Sequence, residues 1–170
     1  NLGVLYLKKG DYHLAEAIFP RCLEASERLL GKEHPSTLTT IGNLGMLYAC
    51  KGDYEKAESF SLRCLEARER LLGKEHPSTL TTIGNLGMLY AYKGDYEKAE
   101  SLSLRCLEAR ERLLGVEHPS TLAIVGNLGT LYSENGNYDQ AEIYYMSDLK
   151  SHERALGEEH PETLTAAGNL

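Results

Sequence analysis

Apolar and small residues recur along the chain at spacings of three and four. Within residues 35–76, Leu38, Ile41, Leu44, Gly45, Leu47 and Tyr48 form one such stripe, and Tyr54, Ala57, Phe60, Cys64, Leu65, Leu71 and Leu72 form a second. This is the period of a helix face, and no alternating strand pattern competes with it. Pro35 suits a first helical turn, where its missing N–H is not needed. His34 precedes that proline and is driven toward extended geometry, so the preceding helix ends before it. Gly52 separates the two stripes, Asp53 can cap the second helix, and Gly73 closes it. The pattern predicts antiparallel helix pairs at 35–51 and 54–72, 77–93 and 96–114, and 119–135 and 138–156. A further second helix is predicted at 12–30, the back half of a first helix at 1–9, and the front half of one at 161–170.

The whole pattern repeats every 42 residues: Asn1-Leu2-Gly3 returns as Asn43-Leu44-Gly45, Asn85-Leu86-Gly87 and Asn127-Leu128-Gly129, and is cut short at Asn169-Leu170. A fixed period of this size marks stacked supersecondary units in a solenoid. The expectation is an all-α single repeat domain over 1–170, with repeats near 1–34 (partial), 35–76, 77–118, 119–160 and 161–170 (partial). Starting and stopping at nearly the same phase, without an initial Met, the chain reads as a piece of a longer array. A solenoid offers a long regular surface rather than a closed catalytic pocket, so recognition is the expected kind of function.

Several repeated residues have a packing explanation. Gly3, Gly45, Gly87 and Gly129 are expected to let the two helices of a repeat approach closely, with Ala15, Ala57, Ala99 and Ala141 facing them. A helical glycine costs about 1 kcal/mol against alanine, which close packing would offset. Tyr6, Tyr48, Tyr90 and Tyr132 fall on the buried stripe. Cys22, Cys64 and Cys106 lie 42 apart at equivalent sites, too far for a disulfide, and are expected to be small buried residues in a reducing, cytoplasmic setting; Asp148 breaks the series. His34, His76, His118 and His160 each precede a proline, and no zinc-type spacing joins any two. No phosphate loop, nucleophile elbow or acid–base pair occurs, so neither a catalytic residue nor a metal or cofactor is expected. Glu66 with Arg70, and Glu108 with Arg112, have the spacing of helix-surface ion pairs.

Composition changes little. The chain is 42% hydrophobic and 25% charged, has no apolar run of membrane-spanning length and opens on no secretory signal. A net charge of −7 argues against a nucleic-acid partner, which would need a basic stripe.

Ile41-x2-Leu44-Gly45-x2-Tyr48, followed by Gly52, Tyr54 and Ala57, resembles the tetratricopeptide repeat. The 42-residue length, together with Leu71-Leu72-Gly73-Lys74-Glu75-His76-Pro77-Ser78-Thr79-Leu80, resembles the kinesin light chain type, a form also found in nephrocystin-like proteins and at the sensor ends of some NTPase receptors. Ile41, Ile83 and Val125 stand where the signature has Trp. Its second-helix aromatic is Phe19 and Tyr145 in the outer repeats but Ser61 and Ser103 in the inner two, with Phe60 and Leu102 adjacent.

The resemblance implies a right-handed superhelical solenoid whose first helices line a concave groove. Its implied peptide-binding positions are Asn43, Met46 and Cys50, then Asn85, Met88 and Tyr92, then Asn127 and Thr130. Small residues such as Gly42, Ala49, Gly84 and Ala91 lie between them. The asparagines form a ladder of amides suited to an extended peptide, or alternatively to bonds between neighbouring first helices. The methionines add adaptable apolar contact. Chaperone-binding members hold a terminal carboxylate with Lys, Arg and Asn side chains, and kinesin light chains read acidic motifs with basic ones; here only the asparagines match. Residues 43–84 and 85–126 differ only as Cys50/Tyr92, Phe60/Leu102, Lys74/Val116, Thr81/Ala123, Thr82/Ile124 and Ile83/Val125, which suggests recent duplication.

The expected function is a non-enzymatic interaction module for a protein or peptide partner. The alternative is a structural or self-assembling array, for instance the sensor end of a larger NTPase receptor. Apolar residues at the two ends (Leu2, Val4, Leu5 and Leu7; Leu164, Ala166, Ala167 and Leu170) lead to a further expectation of end-to-end self-association.

Overall fold

A computed structural model describes residues 2–168, and the residues with helical spacing fold there as helices. In order they are α1 (Leu2–Lys9), α2 (Tyr12–Leu30), α3 (Pro35–Cys50), α4 (Tyr54–Leu72), α5 (Pro77–Tyr92), α6 (Tyr96–Leu114), α7 (Pro119–Glu134), α8 (Tyr138–Leu156) and α9 (Pro161–Ala167). No strand occurs among the described residues. The last helix is shorter than the expected 161–170: the N–H of Gly168 bonds back to the Leu164 carbonyl at 3.1 Å, and Leu170 lies outside the described residues. The chain divides into two compact units, 1–89 and 90–170. In the first, α1 packs on α2, α2 on α3 and α3 on α4; in the second, α6 packs on α7, α7 on α8 and α8 on α9.

The helix ends follow from local chemistry. Gly52 and Gly73 adopt φ of 77° and 93°, a backbone region that costs glycine nothing and ends α3 and α4. Asp53 caps α4 as expected, its carboxylate accepting from the Lys56 N–H at 3.3 Å. The histidines do more than mark a turn. Nδ1 of His34, His76, His118 and His160 accepts from the backbone N–H two residues on, at 3.2, 3.1, 3.1 and 3.2 Å, so each is the N-cap of a first helix. Thr37, Thr121 and Thr163 add a second tie, each hydroxyl donating to the glycine carbonyl six residues earlier at 2.8–2.9 Å.

The core of the first unit runs through Leu38, Ile41, Leu44 and Leu47 of α3, all at most 3% exposed. Leu38 and Ile41 cluster with Cys64 of α4, and Leu23, Phe60 and Ala67 pack around them. Tyr48, Tyr90 and Tyr132 are buried as expected, whereas Tyr6 is half-buried.

The structure corrects four expectations. The glycines of the first helices meet chiefly the residue four beyond the expected alanine. A Cβ on Gly3, Gly45 or Gly129 would stand nearest to Phe19, Ser61 and Tyr145, at 2.7, 2.6 and 2.6 Å respectively, with the Ala57 carbonyl also 3.4 Å from that on Gly45. This matches helix geometry, since residues four apart lie on one face. Cys64 and Cys106 are buried, but Cys22 is exposed. The Cys64 thiol donates to the Leu38 carbonyl at 3.3 Å, so its cover comes from the front half of α3. Leu71 and Leu72 continue the helical spacing yet stay exposed, lining an open cleft with Glu33, Pro35, Leu38 and Arg68. Finally, Arg70 pairs with Glu33 of the preceding loop rather than with Glu66.

Candidate functional site

Burial of Ile41, Leu44, Leu47 and Tyr48 fixes the rotation of α3. It leaves Asn43 half-buried and Met46 and Cys50 exposed on the opposite face, three and seven residues along. The same rotation of α5 leaves Asn85 half-buried and Met88 exposed. In the second unit, Tyr92 is 54% exposed, Asn127 is half-buried and Thr130 is exposed. The sequence-derived positions therefore share the outward faces of the first helices, within each unit.

The amides of Asn43, Asn85 and Asn127 make no hydrogen bond to the described residues of their own unit. Each presents a carbonyl and two N–H donors beside small residues. Thr130 differs. Its hydroxyl donates to the Gly126 carbonyl at 3.2 Å and lies 3.3 Å from the Tyr145 hydroxyl, so a neighbouring helix already engages it. Cys50 lines a shallow open cleft of about 430 Å³ with Lys51 and the N-terminal turn of α2.

Positive charge near this face is held by carboxylates and rings. Lys51 bonds Glu16, and this hydrogen bond keeps the Glu16 carboxyl below its ordinary range. Lys56 bonds Asp53 at 2.7 Å and lowers that carboxyl likewise. The two ammonium groups stand 5.9 and 5.1 Å from the Tyr48 ring centre, cation–π distances. The second unit repeats this with Lys93 and Lys98 at 5.7 and 5.1 Å from Tyr90. Tyr132 donates to Glu100 at 2.6 Å; burial first, then that carboxylate, push its phenol above the ordinary tyrosine range. These groups brace the ends of the first helices. No group of three or more metal-ligating side chains occurs among the described residues.

Sequence reasoning missed two features here, the Nδ1 caps and the contact of Tyr145 with Thr130. The first was signalled by a histidine at the same place in every repeat, always before Pro. The second was signalled only by the paired departure of Tyr145 and Thr130 from Ser61 and Met46.

The tetratricopeptide repeat family profile matches residues 1–69, 43–112 and 85–150, and the chain belongs to that family. Its structural neighbours are kinesin light chain-like repeat proteins. BtubC (BKLC) from P. vanneervenii superposes with a TM-score of 0.83 at 24% identity, covering 99% of this chain and 67% of that one. A Podosopora anserina protein of nearly identical TPR-like repeats, named for kinesin light chain, gives 0.83 at 25% identity, covering 99% of this chain and 80% of the other. A single-substitution variant of that protein gives 0.84 with the same identity and coverage. No curated protein matches the sequence. The fold is thus an all-α, TPR-like solenoid of the kind that generally mediates protein–protein interaction without catalysis. No described helix is long and apolar enough to cross a membrane.

Proposed function

We propose that the chain is a non-catalytic recognition module that holds an extended peptide or partner segment along the outward faces of its first helices. The observation that carries this is the outward set of amides at Asn43, Asn85 and Asn127, which make no hydrogen bond to the described residues of their own unit. An extended backbone has its own N–H and C=O groups to satisfy, and side-chain amides offer both complements. Met46 and Met88, both more than a third exposed, supply adaptable apolar contact beside them. The engagement of nearby lysines by Glu16, Asp53 and Asp95 favours a segment that is not strongly acidic. Four free cysteines fit a reducing, cytoplasmic setting.

The test is a peptide array probed with the native chain, Asn85→Ala and Tyr92→Ala. Each substitution is expected to weaken binding several-fold, in line with about 0.5–1.5 kcal/mol for a hydrogen bond. Binding that ignores both variants would remove these faces from the account.

A further inference from the structure

α3 and α5 have the same sequence at every position except the last, where α3 ends in Cys50 and α5 in Tyr92. That position lies seven residues beyond Asn43 or Asn85, on the same helix face. Its counterparts in the repeat register are Lys8 of α1 and Glu134 of α7. Lys8, Cys50, Tyr92 and Glu134 are all exposed. The asparagine of this face is the same in α3, α5 and α7, whereas the position near the helix end takes a cation, a thiol, a phenol and an anion in turn.

None of these four side chains makes a hydrogen bond, ion pair or ring contact with the described residues of its own unit. The next register position behaves in the opposite way. Lys51 and Lys93 stand there, and both ammonium groups lie against a tyrosine ring, with Lys51 also bonding Glu16. The brace of each helix end is therefore one residue further on, and Lys8, Cys50, Tyr92 and Glu134 take no part in it.

A constant group and a varied one suit different tasks. A side-chain amide pairs with the N–H and C=O that an extended backbone repeats at every residue, so the asparagines can hold a segment without choosing among sequences. Choice needs groups whose attraction differs between partners. Lys8 favours a carboxylate and Glu134 a cation. Tyr92, 54% exposed, offers a flat amphipathic face to an apolar or cationic side chain, where Cys50 gives α3 only a small thiol.

We propose that Lys8, Cys50, Tyr92 and Glu134 select the partner, a protein segment of mixed charge whose carboxylate is held by Lys8 on the first unit and whose cation is held by Glu134 on the second. This rests on the peptide-binding reading and adds to it the selecting residues and the chemistry of the segment. One charge of each sign agrees with a segment that is not strongly acidic, as the engagement of Lys51 and Lys56 by carboxylates favours.

The experiment is an array of alanine–serine peptides carrying one aspartate and one arginine at every pair of positions, with single-charge and uncharged controls. It is probed with the native chain, Asn85→Ala, Lys8→Glu, Glu134→Lys and Tyr92→Cys, the last of which makes α5 identical to α3. All the substituted side chains except that of Asn85 are exposed, and an unchanged helical circular dichroism spectrum checks that the variants fold. The native chain should bind best where both charges are present. Asn85→Ala should weaken every peptide alike. Lys8→Glu should cost the aspartate peptides roughly threefold to fivefold, and Glu134→Lys the arginine peptides equally, as for exposed ion pairs. Both preferences should fade as salt is added. Leucine or phenylalanine added to the best peptides should raise their binding to the native chain, and Tyr92→Cys should remove that gain. Peptides that bind and weaken in Asn85→Ala, with charge preferences that Lys8→Glu and Glu134→Lys leave unmoved, overturn this inference and leave the peptide-binding reading standing. A preference moved by only one of the two charge variants overturns the mixed-charge segment. Binding by no peptide, or binding that no variant touches, overturns both readings together.

Discussion

In residues 35–76 the glycine at the helix crossing meets a serine; in residues 119–160 it meets a tyrosine. Gly45 lies against the Ser61 hydroxyl, and the crossing is filled from the side by Phe60, whose ring stacks on Tyr48 at 5.7 Å. Gly129 lies against the Tyr145 ring, and Tyr144 stacks on Tyr132 at 5.4 Å as well. The two repeats differ again one helical turn further on. Cys64 is buried beside Arg68, whose guanidinium donates to the Ser78 carbonyl at 2.8 Å and the Thr82 hydroxyl at 2.7 Å. At the matching sites Asp148 is buried and His152 turns back to the Asp148 carbonyl at 3.0 Å. One backbone thus supports two crossings, a slack one with a rotatable hydroxyl and a tight one with a rigid ring, and the tight one also carries a buried carboxylate.

The sharpest way to break this comparison is to add the same methyl group to both crossings. In Gly129→Ala the new Cβ would stand 2.6 Å from two ring carbons of Tyr145, and a ring yields poorly, so a loss of about 3 kcal/mol in urea unfolding is expected. In Gly45→Ala the near atom is a hydroxyl that can rotate away, and the gain of about 1 kcal/mol in helix propensity leaves that variant near neutral. Adding Tyr145→Ser to Gly129→Ala should recover most of the loss. Equal costs at the two sites would mean that the crossings are equivalent after all.

Next in size is the carboxylate. Asp148 is 6% exposed, its Oδ1 lies 3.2 Å from His152 Nδ1, and burial pushes its carboxyl above the ordinary aspartate range despite the opposing pull of that imidazole. A raised folded value means that the folded protein holds the proton more tightly than the unfolded chain does. Stability from this group is therefore full below the unfolded aspartate value and is lost as pH rises through the folded one. Asp148→Cys, which restores the residue of the other repeats, is expected to stabilise the protein at neutral pH by about 2 kcal/mol. It should also flatten that part of the stability–pH curve. Thermal melts of both chains from acid to neutral pH provide the check, and parallel curves would remove Asp148 as the cause.

The smallest expected effect lies where the repeats agree. His34→Ala and His118→Ala each remove an Nδ1 acceptor from a first-helix start and should cost about 1 kcal/mol apiece, whereas asparagine at either site should keep the cap. Unequal costs in the two repeats, measured by urea unfolding, would show that the caps differ despite identical geometry.

The fold was legible because its signal is redundant: the stripe of Leu38, Ile41, Leu44 and Leu47 returns in every repeat, and Gly52, Gly73 and Pro35 punctuate it. Register was less legible. The periodicity places Ala57 and Ser61 on the same face as one another, and only the actual crossing shows that Ser61 stands closer than Ala57 to the side of Gly45. Cys22 was misjudged because the cover of Cys64 comes from the front half of α3, and equivalence in register does not guarantee equal neighbours. The outward placement of Asn43 and Asn85 could be read from helix geometry alone. Which partners their amides take could not, because it depends on what the adjacent helices present.

The joints between repeats have a genetic consequence. Each is closed by bonds that lie within seven residues of one another, from the Gly31 carbonyl through His34 and Ser36 to Thr37, and the same set recurs at 115–121 and, with Glu162 for Ser36, at 157–163. A crossover that gains or loses one period of coding sequence regenerates an intact joint at its seam. A gain or loss of whole periods therefore leaves every joint closed, whereas an insertion of any other length breaks the register of the helices it falls in.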